Sequence, residues 1–129
     1  MQCPCNPIKI YASCCAIAHN NISDVKTTEQ LMRSRYSAFV LGDIEYLQIS
    51  HHSTNRPSKK EARETERWMK TVDWIKLEVI QTTKGFEMDT SGTVEFKAFY
   101  LEDGRVEVIH EHSRFCKENG HWVYLNALT

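Results

Sequence analysis

An α+β fold, helices first and an antiparallel sheet second, follows from three features of the 129 residues. Apolar residues recur at a helical period before residue 70. They alternate strictly after it. Two dipeptides that favour the type I′ hairpin turn, Asp103-Gly104 and Asn119-Gly120, punctuate the second half. Helices followed by a meander pack on one face of a curved sheet.

Each element has its own warrant. Thr27 or Thr28 can cap the first long helix, with Glu29 and Gln30 in its first turn. Leu31, Met32, Tyr36, Phe39, Val40 and Leu41 then form one amphipathic face, and Gly42-Asp43 ends it. Ile44, Tyr46, Leu47 and Ile49 predict a short second helix. The segment from His51 to Pro57 reads as a loop with solvent-facing histidines. Lys59 to Met69 mixes Glu with Lys and Arg at helical spacing and predicts a third, solvated helix. Trp74 to Val79, Thr93 to Tyr100, Arg105 to Phe115 and His121 to Asn126 read as strands.

The hairpin turns fix a register, and the register sorts side chains by face. With Asp103-Gly104 as the turn, Glu102 pairs with Arg105, Tyr100 with Glu107, Phe96 with Glu111 and Val94 with Ser113. The core face then carries Val94, Phe96, Ala98, Tyr100, Ile109, Phe115, Trp122 and Tyr124. The outer face carries Glu95, Lys97, His110, His112 and Arg114, with Phe99 and Val108. Glu111 and Ser113 fall on the core face, where polar side chains are unexpected. One β-bulge would exchange these assignments.

Four of the five cysteines lie in the first fifteen residues, as Cys3-Pro4-Cys5 and Cys14-Cys15. Four thiolates can surround one tetrahedral zinc ion at about 2.3 Å each. The alternative is a disulfide clip across the loop, since adjacent cysteines bond only with strain. Neither a basic start nor an apolar run precedes Cys3. A reducing, cytoplasmic setting is therefore expected, and clustered thiols there read as metal ligands. His19 could replace one cysteine. A net charge of −1 argues against a dedicated nucleic-acid binder. No apolar run approaches the roughly 20 residues that cross a bilayer.

The spacing of Cys3, Pro4, Cys5, Lys9, Tyr11, Cys14 and Cys15 resembles the SEC-C motif, the zinc module at the tail of the SecA translocase. Asn6-Pro7-Ile8 stands where that motif has a Gly-Ser-Gly turn, and Ile10 and Ala12 replace two basic positions. Two further blocks extend the likeness. Leu31 to Asp43 and the run His110-Glu111-His112-Ser113-Arg114-Phe115, followed by Trp122-Val123-Tyr124, are similar to the YchJ family of small bacterial proteins. Some members carry a second SEC-C motif at the C-terminus. Residues 1–129 hold one. The resemblance implies a zinc knuckle over residues 1–20, with one structural zinc on Cys3, Cys5, Cys14 and Cys15. It further implies a nuclear-transport-factor-two-like (cystatin-like) α+β cone over residues 21–129. Such cones often hold a pocket and often form homodimers through the sheet. The motif's place in SecA implies a protein or ribosome as partner of the knuckle.

Candidate residues inside the cone are Arg33, Arg35, Tyr36, Glu111 and Ser113. A carboxylate on an apolar face needs a partner. Arg33 or Arg35 could supply it, though two residues apart on a helix they cannot face one spot. Glu111 is then either half of an Arg–Glu tie between helix and sheet, the simpler role, or the acid or base of a pocket for a small polar ligand. His110 and His112 read as a wet face and Cys116 as a small apolar residue. Trp68 and Trp74 read as core or rim. A full metal set is visible and a full catalytic set is not. The expected function is therefore a zinc-binding interaction or small-ligand protein, with a small acid–base enzyme using Glu111 and an arginine as the alternative.

Overall fold

The computed structural model describes residues 1–129. A two-stranded ribbon, β1 (Gln2–Cys3) and β2 (Asn6–Ile10), leads through a 3₁₀ turn into α1 (Cys15–Asn20). Three helices follow: α2 (Thr28–Leu41), α3 (Ile44–Ile49) and α4 (Lys59–Met69). The chain ends in an antiparallel meander of β3 (Asp73–Lys84), β4 (Ser91–Glu102), β5 (Arg105–Glu118) and β6 (His121–Ala127), adjacent in that order. The α+β order is the predicted one.

Local chemistry explains the helix ends. Thr27, not Thr28, caps α2: its side chain accepts from the Gln30 backbone N–H while the Gln30 side chain accepts from the Thr27 N–H. Ser58 and Glu61 form the same reciprocal pair at α4. Gly42, at φ +76°, closes α2 in the left-handed region. The helix α1 is absent from the sequence reading. Six residues are too few to display a period, yet they bury Cys15, Ala16 and Ala18.

The β4–β5 register is the predicted one, from Glu102↔Arg105 through Phe96↔Glu111 to Val94↔Ser113. A bulge lies in the β5–β6 pairing between Arg114 and Phe115, beyond the Phe115↔Tyr124 pair. Trp122 and Tyr124 therefore stay on the core face. The strands run longer than alternation indicated. Gln81 to Lys84 are polar and exposed but still pair with residues 92–95. Two bulges interrupt β3, the free edge of the sheet, an arrangement that discourages edge pairing. The other edge is covered by the segment after α3: Tyr124 N–H donates to Ser50 O and His52 N–H to Tyr124 O, both at 2.8 Å.

Cys3, Cys5 and Cys15 belong to the same buried cluster as Leu31, Tyr36, Phe96, Phe115 and Trp122. The cysteine loop thus packs against α2 and shares its core. The N-terminus of α2 is seated on the β3–β4 loop, where Thr28 N–H donates to Gly85 O at 3.0 Å. Gly85 has φ +79°, and a Cβ there would lie 2.0 Å from Thr28 Oγ1. Gly85→Ala is therefore expected to destabilise the fold by about 2 kcal/mol, from left-handed strain together with the clash. Urea unfolding measures it, and an unchanged midpoint would contradict this seating of α2.

Candidate functional site

Two centres lie on opposite sides of α2. At the first, the ligand sulfurs of Cys3, Cys5, Cys14 and Cys15 all lie within 4.8 Å of one another, a set that could hold a metal ion. Cys5 Sγ is 3.6 Å from both Cys3 Sγ and Cys14 Sγ. A disulfide needs about 2.05 Å, and all five cysteines are free. Four thiolates at 2.3 Å from a tetrahedral ion would be about 3.8 Å apart, close to the spacing seen. The donors therefore fit a four-thiolate metal.

The surroundings of the cluster point the same way. Ser37 Oγ lies 3.7 Å from Cys3 Sγ, and Arg33 donates to Cys5 O at 3.3 Å while pairing with Glu29 at 2.9 Å. Arg33 is thus a neighbour of the cysteines and has no place in the cone. The Cys15 thiol, together with those of Cys14 and Cys3, stabilises a thiolate on Cys5 against the cost of burial, pulling its pKa down to about 5. Burial and donation to Cys5 push Cys14 up to about 11, and the hydrogen bond to Cys5 pushes Cys15 up as well. Ionising Cys14 and Cys15 beside a Cys5 thiolate calls for a cation. His19 is not a member. Its Nε2–H donates to Ser34 O at 2.8 Å, which fixes Nδ1 as the acceptor of the Tyr11 hydroxyl at 2.7 Å.

The second centre is a cavity of about 210 Å³ between α2, the end of α4 and the sheet. Of the predicted residues, Arg35, Tyr36, Glu111 and Ser113 line it and Arg33 does not. The expected Arg–Glu tie is not formed. Arg35 donates from Nη1 to Leu47 O at 3.0 Å and Ser50 Oγ at 2.6 Å. Glu111 Oε2 accepts from Ser113 Oγ at 2.5 Å and from Tyr124 OH at 2.8 Å. Tyr124 stands between the two charges, with Arg35 Cζ 4.9 Å from its ring centroid. Burial lowers the Arg35 pKa to about 10, still cationic at neutral pH, and raises Tyr124.

Trp68 and Trp74 stand half-buried at the rim, 5.7 Å apart at 90°, and Tyr100 lies 5.4 Å from each. His110 and His112 are on the outer face, with His110 against Glu95. His51 departs from its expected solvent-facing position. It is half-buried edge-on to Tyr124 at 5.0 Å, because the segment after α3 is bound along β6. Desolvation, then Arg35 and Arg56, hold its pKa down to about 4.

Residues 27–127 match the family model for the YchJ middle NTF2-like domain. A UPF0225 protein of Vibrio parahaemolyticus is 47% identical over 126 residues, covering 98% of this chain and 74% of its own. A UPF0225 protein of Chromobacterium violaceum is 40% identical, covering 98% and 91%. The solution structure of RPA3114, a SEC-C motif containing protein from Rhodopseudomonas palustris, superimposes with TM-score 0.81 at 30% identity over 98% of this chain and 97% of that one. A SEC-C motif containing protein from Psychrobacter arcticus does so with TM-score 0.76 at 30% identity, over 98% and 81%.

Two outcomes follow for the cavity. Glu111→Gln keeps an acceptor for Ser113 and Tyr124, so it should cost about 1 kcal/mol, whereas losing a buried ion pair would cost roughly 3–5. Glu111→Leu strands two hydroxyls and should cost roughly 2–3 kcal/mol. Denaturant titration of both variants separates these cases, and equal losses would contradict the assignment. For His51, the folded pKa lies below the unfolded value of 6.5. The unfolded chain therefore takes the proton first. The contribution of the neutral ring is complete above 6.5 and lost as pH falls toward 4. His51→Gln should show a smaller loss of stability between pH 7 and 4.5 than the parent.

Proposed function

The chain belongs to the YchJ family of UPF0225 proteins, and on that premise we propose that its first twenty residues are a zinc-held docking module carried on an NTF2-like scaffold. The observation that carries this reading is the cluster of four free thiols within 4.8 Å. An all-thiolate, closed, tetrahedral set is the chemistry of a structural zinc. Zinc on Cys3, Cys5, Cys14 and Cys15 would cross-link the ribbon to α1 and hold both against α2. Ser37 would hydrogen-bond a ligand sulfur, and Arg33 would fix the Cys5 carbonyl and offset the thiolate charge.

The same fold leaves the tip of the loop bare. Ile8 is 87% exposed, and Ile10 and Ile17 are exposed with it. Ile17 lines a groove of about 220 Å³ together with Lys9, Asp24 and Arg33. Isoleucines with flanking cations suit a protein surface that is apolar and acid-rimmed. The partner proposed is therefore a protein. No helix is long and apolar enough to cross a membrane.

Purified, reduced protein is expected to carry one zinc per chain by elemental analysis. The double variant Cys14→Ser, Cys15→Ser should release it and loosen residues 1–20 while the sheet stays folded. Metal well below one equivalent in the reduced parent would contradict the zinc reading. A photo-crosslinking side chain placed at Ile8 should give a discrete protein adduct in cells, lost when the two cysteines are changed. An adduct that survives their loss, or none at all, would contradict docking.

A further inference from the structure

Two residues of opposite charge line one cavity without pairing. Arg35 is only 9% exposed, and its side-chain hydrogen bonds leave from Nη1 alone. Nε and Nη2 have no partner in the protein. No fully enclosed side-chain nitrogen or oxygen lacks a partner, so these two are not sealed off, and Arg35 lines the same cavity as Glu111. Glu111 likewise receives both of its hydrogen bonds on Oε2 and leaves Oε1 free. None of the salt bridges includes either residue. The ring and hydroxyl of Tyr124 keep them apart. Arg35 also borders a cavity of about 170 Å³ between α3 and α4, but no carboxylate lines that one. Only the larger cavity presents both charges.

Buried charges are ordinarily paired. We propose that the cavity binds a small zwitterion with an apolar, preferably aromatic body, an α-amino acid being the simplest member of the class. The ligand carboxylate takes the free N–H groups of Arg35. Its ammonium meets Glu111 Oε1, and its body lies against Trp68, Trp74 and Ile109. A simple anion would pair with Arg35 but face the Glu111 carboxylate. A simple cation would pair with Glu111 but face Arg35. A neutral molecule would leave both charges unpaired. Discrimination therefore comes from the wrong charge as much as from the right one. At about 210 Å³ the cavity is of a size for a small molecule such as an amino acid. The proposal concerns the face of α2 away from the cysteines and stands whether or not zinc is the metal there.

The test is an NMR titration of the full, metal-loaded chain with L-phenylalanine, 3-phenylpropionate and phenethylamine, the last two each retaining one charge. L-Phenylalanine is expected to shift the indole N–H signals of Trp68 and Trp74 and the amides around Glu111. It should bind at least about tenfold more tightly than either analogue, since each analogue forfeits a charged hydrogen bond. Glu111→Gln, which keeps its Ser113 and Tyr124 contacts, should abolish the preference for L-phenylalanine over 3-phenylpropionate. The proposal is overturned by equal affinities for the three probes in the parent, by no indole shift at millimolar L-phenylalanine, or by an unchanged preference in the variant.

Discussion

Side chains two apart on an α-helix diverge by about 200°, and this geometry organises the protein. Arg33 and Ser37, four apart, lie along the cysteine side of α2. Arg35, Tyr36 and Phe39 lie along the cavity side. Between them Leu31 and Ala38, both fully buried, hold the helix to the core. One helix thus serves as the wall of a thiol cluster and the wall of a polar-floored cavity. Its placement depends on the Thr27 cap, the Gly42 terminus and the contact of Thr28 with Gly85. Any change that rotates α2 disturbs both sites together.

The cavity floor shows how a protein keeps opposite charges near each other without joining them. A direct Arg35–Glu111 pair would satisfy both groups and close the space. Instead the guanidinium is bound by the end of α3, through Leu47 O and Ser50. The carboxylate is bound by Ser113 and Tyr124 within the sheet. Tyr124 takes part on both sides, stacking under the cation and donating to the anion. Its backbone also ties β6 to the segment that carries Ser50 and His51. The separation of the charges is therefore fixed by sheet register and by capture of that segment.

What the sequence disclosed and what it hid divide along physical lines. Register was legible because Asp103-Gly104 and Asn119-Gly120 admit few turn geometries and because alternation then sorts every side chain. That reasoning placed Glu111 and Ser113 on the core face correctly. It supplied no distance across the core, so the predicted ion pair was not found. The four cysteines were legible from spacing alone. The helix α1 was not, since it spans under two turns and its apolar face is alanine and cysteine. His51 was assigned to solvent because nothing local shows that its segment lines the β6 edge. His19 was offered as a ligand on proximity in sequence, yet both ring nitrogens are engaged by Tyr11 and Ser34. Local chemistry survived translation into structure, whereas contacts set by tertiary docking did not.

If α2 is a shared wall, loosening the thiol cluster should be felt on that helix and not in the sheet beyond it. Native-state hydrogen exchange before and after stripping metal with a chelator measures this residue by residue. Protection should fall across residues 1–20 and in α2 near Arg33 and Ser37, while the amides pairing β4 with β5 keep theirs. Loss of protection throughout the chain would mean that the sheet depends on the cluster. Unchanged protection in α2 would mean that the cysteine loop merely rests on it.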